Sequence, residues 1–446
     1  YLTLSLVDAG QKLGRKEWLR PAILALGEPD DDDVVLLNAV AGLEQEAGNY
    51  ERAYKIFKRL RRLDESNETI LQNYSAALVG LKRYDEAIST LEDYLPQSEE
   101  PRQYILRLVP LYRLTGEEAD VEARVDELDS RIFAACETPA KARVHAELRL
   151  FRQDIPGMGR GLERLLEHRW NPGDAFELAE VEIAQGKMEA GLERYGVRFE
   201  AFPKLAWFSS ERDIYQGQQL EDEVLFIWGE QGIADEVMFA MFLQLLETKA
   251  RNVLIAVDKR LGQALAKEYP QWTFFDRHEL PEQLPHFDLV CPMGKLMEMW
   301  LPSLLHSEHQ FKQPIFRPDP ARHKVISELL SNKTRPRIAI TWRGGSSVNG
   351  KIRSMELQEL LQGLPENAEV DIISVQYDGE HEQEVVAHGD PRVALSGLNN
   401  RWDLEGVFAL LSCCDAVLTV DNAVAHFACA LGVPTAVLIP AAQIQF

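Results

Sequence analysis

The sequence predicts an α + α/β protein, in which a helical solenoid precedes two doubly wound parallel α/β domains. The first part contains no convincing strand, and it repeats a short motif every 34 residues. From Glu221 onward, short apolar runs alternate with amphipathic stretches, as expected where helices connect parallel strands. A chain of 446 residues is also too long for a single core, which indicates two or three domains.

The repeated motif marks the turn between two predicted helices. Its copies begin at Leu13, Ala47, Leu81 and Thr115, and a further copy, out of phase, covers residues 185–191. The period, the glycine at the turn and the alanine at the close helix contact resemble the tetratricopeptide repeat. We therefore predict a right-handed solenoid of helix pairs. It either binds a peptide on its concave face or only supports and dimerises the domains that follow.

The α/β region divides into two series of strands and helices. The predicted strands of the first series are Val224–Trp228, Val253–Val257, Thr273–Phe275 and Phe287–Cys291, and its helices are 235–249, 259–269 and 294–304. Residues 305–335 carry several prolines and little periodicity, so we predict a connector there. The second series has predicted strands at 337–342, 370–375, 392–395, 416–420 and 435–439, and helices at 354–364, 403–413 and 422–431.

The turns after two of the predicted strands are candidate ligand-binding turns. In the second series the strand that ends at Val420 runs into Asp421 and Asn422, and a helix rich in small residues follows. The N-terminus of such a helix offers unpaired N–H groups and a positive dipole end, which suits a phosphate. In the first series the strand runs into Gly229 and Gly232, which let the backbone approach a ligand closely. Parallel sheets bind ligands at this edge, so we predict that the two turns face each other across a cleft.

Composition and charge exclude several classes of protein. The formal net charge of −23 argues against a nucleic-acid partner, whose phosphates need a basic surface. No apolar run reaches the length of a membrane span, and no signal peptide opens the chain. Five cysteines in a chain of this length do not form a disulfide framework, which favours a cytoplasmic location. The acidic run Asp30–Asp33 is interpreted as solvated charge at a helix start.

Three stretches, together with the repeats, carry a family resemblance: GEQGIADEVMFA (229–240), ITWRGG (340–345) and VDNAVAHFACALGVP (420–434). The combination resembles bacterial tetratricopeptide-repeat glycosyltransferases, whose catalytic part is similar to the lipopolysaccharide heptosyltransferases. The resemblance implies a GT-B fold, with a repeat domain over 1–205, a Rossmann-like acceptor-side domain over 206–313 and a Rossmann-like nucleotide-sugar domain over 314–446. Proteins of this fold usually finish with further helices, so the last domain is expected to be truncated.

The resemblance also implies roles for individual residues. Asp235 stands where heptosyltransferases have the Asp of a G-x-G-D turn, their proposed general base, and Ala234 replaces the usual second glycine. Asp421 matches the Asp of the family's D-T-G/A motif, where Asn422 departs from the usual Thr. The implied donor-binding residues are Arg343, Lys351, Arg353, Asp421, Asn422, Ala423 and His426, and the implied acceptor-side loop is Gly229, Glu230, Gln231 and Gly232.

Transfer from a nucleotide-sugar needs a base near the acceptor hydroxyl, stabilisation of the departing diphosphate and a dry cleft. We expect the helix N-terminus to lower the pKa of Asp235, so that the carboxylate is ionised at neutral pH. The basic side chains and the helix after Asn422 would stabilise the diphosphate without a metal or another cofactor. Attack from the amino-domain side would invert the anomeric centre. The expected acceptor is a protein, a peptide or a saccharide selected by the repeats.

Simpler interpretations compete with these roles. Asp235 and Asp421 are good helix-capping residues in any protein. His426 is expected to pack within its helix, and Trp228 and Trp342 are expected in the core. Two other functions also stay open. One is a catalytically inactive repeat scaffold that binds a protein partner or a nucleotide, which the two departures from the family motifs favour. The other is a heptosyltransferase acting on a lipid-linked saccharide.

Overall fold

The computed structural model describes residues 34–98, 100–116, 118–133, 138–308, 311, 314–330, 335–345, 350, 353–365 and 367–440. The chain forms two compact units, Tyr1–Asp174 and Ala175–Phe446. The repeat copy at Leu13 and the acidic run Asp30–Asp33 lie outside the described residues.

The first unit is helical throughout its described residues. Its helices are α1 (Val34–Glu46), α2 (Tyr50–Leu63), α3 (Glu68–Gly80), α4 (Tyr84–Tyr94), α5 (Pro101–Thr115), α6 (Glu118–Phe133), α7 (Pro139–Phe151) and α8 (Ile155–His168), with a 3-10 turn at Leu95–Gln97, and α9 (Pro172–Ala184) begins at its end. One apolar core runs through α1 to α7 and includes Phe57, Leu78 and Tyr104. The helix pairs predicted from the repeats are confirmed.

The turn between paired helices has the same construction in several repeats. Gly48, Lys82 and Gln153 are each the second residue after the end of a helix, and they have φ values of 79°, 60° and 56°. The next N–H group then reaches back five residues, as from Asn49 N to Glu44 O at 2.8 Å, and satisfies a carbonyl that the helix end leaves open. A non-glycine residue in this left-handed region costs about 1 kcal/mol, so the repeat geometry is imposed by packing as well as by local preference.

The second unit begins with helices and not with a strand. After α9 come α10 (Met188–Tyr195), α11 (Arg198–Ala201) and a 3-10 turn at Pro203–Leu205. Gly186, with φ 76°, closes α9, so the out-of-phase repeat copy is also a turn between two helices. Leu192 and Tyr195 belong to the same apolar core as the first sheet. This compact unit therefore begins at Ala175, whereas the predicted domain boundary lies at 205.

The first sheet consists of four parallel strands in the order β3-β2-β1-β4. The strands are β1 (Val224–Trp228), β2 (Asn252–Val257), β3 (Thr273–Asp276) and β4 (Leu289–Pro292), and the helices are α12 (Ile233–Ala240), α13 (Leu243–Leu246), α14 (Lys259–Glu268) and α15 (Met293–Leu304). Helices cover one face of the sheet, and residues outside the helices, such as Phe208 and Phe287, cover the other, which is why β1 is apolar throughout. The order reverses beside β1, so the loop after Trp228 lies at the topological switch point.

The second sheet has five parallel strands in the order β7-β6-β5-β8-β9. The strands are β5 (Arg337–Ile340), β6 (Asp371–Ser374), β7 (Val393–Leu395), β8 (Ala416–Val420) and β9 (Thr435–Leu438), and the helices are α16 (Pro320–Leu329), α17 (Leu357–Gln362), α18 (His381–His388), α19 (Leu404–Leu411) and α20 (Ala423–Ala430). The loops after Ile340 and Val420 meet at its switch point. The predicted pair of doubly wound parallel sheets is thus confirmed.

Two helices of the second unit were absent from the sequence prediction. Helix α16 lies inside the predicted connector, where Asp319 caps it by accepting the N–H of Arg322 at 2.9 Å. Ile326 is the buried residue of α16, and Val385 is that of α18, so neither helix has an apolar stripe that periodicity could detect. The local signals for these helices are the Asp319 cap of α16 and the left-handed Gly389 that ends α18.

Candidate functional site

A cavity of about 700 Å³ opens at the carboxyl ends of the strands in the second unit, and three groups of residues line it. The helices before β1 contribute Phe176, Glu180, Tyr195, Phe202 and Leu205; the first sheet contributes Gln231, Gly232, Ile233, Ala234, Asp235 and Met238; the second sheet contributes Gly344, Gly345, Arg353, Tyr377, Asp421, Asn422, Ala423 and His426. Helices α12 and α20 pack against each other, so the turn after β1 and the turn after β8 line the same cavity.

Asp235 is the third residue of α12, and it lies on the cavity wall. Its Oδ2 accepts the backbone N–H of Gly232 at 2.9 Å, so the carboxylate does close the start of the helix. The other oxygen, Oδ1, accepts no hydrogen bond from a described residue. The helix-capping interpretation and the base interpretation are therefore compatible, because each uses a different oxygen.

The expected lowering of the Asp235 pKa is wrong. Burial among protein atoms raises the pKa of this carboxyl group, and the opposing effects of the Gly232 N–H and of the charges on His426 and Arg353 are smaller. One hydrogen bond and one helix end do not replace the water that the carboxylate loses. The group therefore holds its proton to a higher pH than an exposed aspartate does.

The predicted acceptor-side loop divides into two halves. Gln231 and Gly232 line the cavity, and Gln231 takes the strained conformation of the turn with φ 63°. Glu230 and Gly229 do not line it. Glu230 is fully buried, where Arg198 binds it through Nε at 2.6 Å and Nη2 at 2.9 Å. This correction follows from β1 being central, since the residues next to it point into the core.

Asp421 and Asn422 open the second turn. Asp421 is 5% exposed, and its Oδ2 lies 2.7 Å from Nη1 of Arg353. Asn422 caps α20 by accepting the N–H of Val424 at 2.9 Å, and its amide group donates to Thr341 Oγ1 at 2.9 Å and to a backbone carbonyl. The hydrogen-bonding groups of Asn422 are thus used within the protein, and its contribution to the cavity is the fixed start of the helix.

Arg343 is a predicted donor-binding residue that does not reach the cavity. Its guanidinium group binds Asp378 through Nε at 2.7 Å and Nη2 at 3.1 Å, and it also pairs with Glu384. Asp378 lies in the loop after β6 and Glu384 lies in α18, and together they draw the side chain away from the strand edge. Lys351 lies outside the described residues. Arg353 is accordingly the predicted basic residue that lines the cavity.

His426 lines the cavity one turn into α20, and so it is not enclosed within its helix as expected. Burial lowers its pKa, although the negative charges of Asp235 and Asp421 oppose the shift. The imidazole is therefore neutral at neutral pH and can donate or accept a hydrogen bond. The two tryptophans were predicted correctly, since Trp228 and Trp342 are both buried in the core.

Several lining residues were missed in the sequence. Tyr377 lies just beyond β6, and its hydroxyl accepts the N–H of Gly345 at 2.9 Å. The position after a strand was a usable signal in this case. Glu180 and Phe202 belong to the helices before β1, where no strand end marks a site. Among the residues that the structure describes, no group of three side chains has the arrangement of a metal site. Metal independence stays a prediction.

Comparison with known families now gives the class of the protein. Residues 44–108 match the tetratricopeptide repeat family, and residues 357–439 match glycosyltransferase family 9, described as heptosyltransferase. The second match contains Asp421, Asn422, Ala423 and His426. The chain thus has one region that matches tetratricopeptide repeats and another that matches glycosyltransferase family 9, which confirms the predicted resemblance to repeat-containing glycosyltransferases.

Individual relatives are distant. Protein FlbA of Caulobacter vibrioides is 25% identical over 421 residues, which cover 88% of this chain and 69% of that protein. A glycosyltransferase family 9 structure from Veillonella parvula is 14% identical with a TM-score of 0.39, over 50% of this chain and 83% of that one. E. coli ADP-heptose LPS heptosyltransferase II is 12% identical with a TM-score of 0.31, over 48% and 83%. No helix in the described parts of the chain is long and apolar enough to span a bilayer.

Proposed function

We propose that this protein is a metal-independent, inverting glycosyltransferase that moves a sugar from a nucleotide-sugar to a protein or polysaccharide acceptor, which the repeats select. The observation that supports this best is one cavity whose wall includes both Asp235 and the start of α20. One is a carboxylate that can act as a base, and the other is an anion site next to it. If Asp235 and the N-terminus of α20 lay in separate places, neither feature alone would indicate glycosyl transfer.

The donor half of the cavity is suited to a diphosphate. The N-terminus of α20 supplies a positive dipole end, and Arg353 supplies a charge. Gly344 and Gly345 carry no side chain, so their backbone can approach the phosphates; a Cβ atom on Gly345 would lie 2.9 Å from the ring of Tyr377. The nucleotide-sugar is therefore proposed to bind with its diphosphate against this side, which leaves the sugar towards Asp235.

The reaction then proceeds in one displacement. Asp235 takes the proton of the acceptor hydroxyl, and the acceptor oxygen forms a bond to the anomeric carbon. The bond from that carbon to the diphosphate oxygen breaks, and the nucleoside diphosphate leaves with the electron pair. Because attack and departure occur on opposite faces, the configuration inverts. Arg353 and the α20 dipole stabilise the charge that develops on the diphosphate.

The raised pKa of Asp235 gives this mechanism a pH dependence with a definite sign. The base works only when it is ionised, so the rate rises as the pH passes upward through its pKa. We expect the acidic limb of the rate profile to lie above the ordinary range of an aspartate, near 3.9. A limb at or below that value would contradict the role given to Asp235.

The test begins with isothermal titration of the protein against a panel of nucleotide-sugars, followed by hydrolysis of whichever donor binds. Asp235→Ala should keep donor affinity within about threefold and lower turnover at least about a hundredfold, which is the usual size of a lost general base. Asp319→Asn is a matched control, since Asp319 also accepts an N–H at a helix start but lies outside the cavity. Loss of donor affinity in Asp235→Ala would contradict the proposed role.

The second candidate is a catalytically inactive scaffold that binds a nucleotide or a protein partner. It is favoured by the ion pairs that already occupy the basic groups, because Arg353 pairs with Asp421 and Arg343 with Asp378. The same titration separates the two candidates. A donor that binds and is never turned over, by the wild type at any pH, supports the scaffold. The cytoplasmic location and a homodimer formed through the repeats belong to the proposal as well.

A further inference from the structure

The wall that the helices before β1 contribute to the cavity has a composition of its own. Phe176 and Phe202 meet edge to face with ring centroids 5.2 Å apart, and Phe176 also packs against Tyr195 at 5.3 Å. Phe202 is 47% exposed, which is unusual for so large an apolar side chain beside a cavity. These rings give this wall of the cavity an apolar surface.

Glu180 is the carboxyl group of this wall. It comes from α9, it is half-buried, and it forms no hydrogen bond or ion pair with a described residue. The charged groups around it are Glu177 on its own helix, Arg353, and Asp235 on α12, and Asp235 in turn faces His426. A carboxyl group held in a cavity without a partner is expensive unless a ligand supplies one.

Burial raises the pKa of Glu180 to about 7, and the negative charges of Glu177 and Asp235 act in the same direction. The effect of Glu180 on Asp235 is reciprocal in sign, because two nearby carboxylates resist ionising together. Glu180 is therefore poised between its two protonation states near neutral pH. In either state it can accept a hydrogen bond from a hydroxyl group.

We propose that the wall formed by Phe176, Glu180, Tyr195 and Phe202 is the acceptor subsite, and that it takes a saccharide unit. The C–H face of a sugar ring packs on the exposed ring of Phe202, and a sugar hydroxyl next to the reacting one donates to the Glu180 carboxyl group. Glu180 is then a positioning residue, which holds the acceptor so that its reacting hydroxyl meets Asp235. This inference depends on the proposed glycosyl transfer, and it adds the residues and the chemistry of the acceptor half.

Aromatic rings beside a single carboxyl group favour a sugar over a peptide segment. Sugars present an apolar C–H face and several hydroxyl groups within one ring, which match a ring surface and a carboxyl acceptor at neighbouring points. The acidic surroundings of Glu180 and Glu177 also disfavour a negatively charged acceptor. A neutral sugar satisfies both conditions.

The test compares transfer with hydrolysis, since water needs no acceptor subsite. The variants are Glu180→Gln, Glu180→Asp and Phe202→Ala, and the probes are a panel of 4-nitrophenyl glycosides and a panel of serine- and threonine-containing peptides. Glu189→Gln is the matched control, because Glu189 is an exposed glutamate on the next helix, α10, and lies outside the cavity lining. The donor is the nucleotide-sugar that titration identifies for the wild type.

The expected result is a loss confined to transfer. Glu180→Gln and Phe202→Ala should raise the acceptor KM about tenfold and change donor affinity and hydrolysis by less than about threefold; Glu180→Asp should recover part of the loss, and the control should match the wild type. A purely structural role would instead lower donor affinity and hydrolysis together with transfer, and Glu180→Asp would not recover the loss.

The outcomes that overturn the inference differ from those that overturn the proposed function. A wild type that binds and turns over no donor refutes glycosyl transfer itself. Normal hydrolysis with unchanged transfer in Glu180→Gln and Phe202→Ala refutes the acceptor subsite alone. Transfer to peptides with none to glycosides refutes the saccharide assignment. Circular dichroism and thermal melting identify a variant that has failed to fold. If Glu180→Gln fails in this way, the transfer activity of Glu180→Asp decides whether the acceptor subsite is correct.

Discussion

Arg198 offers the sharpest test of how the helical wall is held against the first sheet. It is fully buried in α11, and it binds both carboxylate oxygens of Glu230, at 2.6 and 2.9 Å. It also pairs with Glu298. Removing the guanidinium group in Arg198→Ala leaves two acidic groups to find other partners. Glu298 keeps Lys295 at 2.8 Å, whereas Glu230 keeps the N–H of Gly294 at 2.7 Å.

The magnitude follows from which carboxylate is left unpaired. An uncompensated buried charge costs about 3–5 kcal/mol, and here Glu230 bears most of that cost because Glu298 retains a cation. The loss in Arg198→Ala should therefore lie within that range.

Denaturant unfolding followed by tryptophan fluorescence measures this cost in the second unit of the chain, which contains Arg198. Six of the eight tryptophans lie beyond Asp174, so the signal reports mainly on the second unit. The double variant Arg198→Met with Glu230→Gln removes both charges, and it should recover at least about half of the loss. A loss below about 1 kcal/mol in Arg198→Ala would refute the reasoning, since it would mean that water reaches Glu230.

Two further predictions concern the donor half of the cavity. Arg353→Gln should lower the affinity for the identified nucleotide-sugar about tenfold or more by titration, which is the size expected for a charged contact to phosphate. Arg343→Gln should leave that affinity within about threefold, because Asp378 already holds the Arg343 side chain. Equal losses in the two variants would show that Arg343 reaches the donor. Gly345→Ala should also lower donor affinity, since the new methyl group would press on Tyr377. Adding Tyr377→Ala to that variant should relieve the clash. Unchanged donor affinity in Gly345→Ala would contradict the close approach of this backbone to the donor.

The strands could be predicted well because each one is marked by the residues within it and directly beside it in the sequence. A buried parallel strand such as Val224–Trp228 or Ala416–Val420 is an apolar run bounded by glycine or an acidic residue, and both were located correctly. Helix α16 escaped because a short exposed helix has one buried residue and no stripe. Its cap and the proline at its first position were the available signals.

The candidate site was predictable only where a strand end marked it. Asp235, Asp421 and Tyr377 all follow strands, and chain order alone indicates that such residues share an edge. Glu180 belongs to a helix far from any strand, so no local pattern could connect it with Asp235. Arg343 shows the opposite failure: its position at a strand end was predicted correctly, but the direction of its side chain is set by Asp378 and Glu384, in the loop and helix after β6. Side-chain direction depends on partners that become neighbours only after folding.

The two departures from the family motifs favoured an inactive scaffold on sequence grounds, and the geometry weakens that support. Ala234 replaces a glycine, but it lies within the first turn of α12, where any residue fits; the positive φ of this turn is taken by Gln231. Asn422 replaces a threonine, and as the cap of α20 it accepts the N–H of Val424 as a threonine hydroxyl would. Neither replacement changes the backbone that a donor would meet. The protonation state of Asp235, and not the two replaced motif residues, therefore decides between glycosyl transfer and binding without turnover.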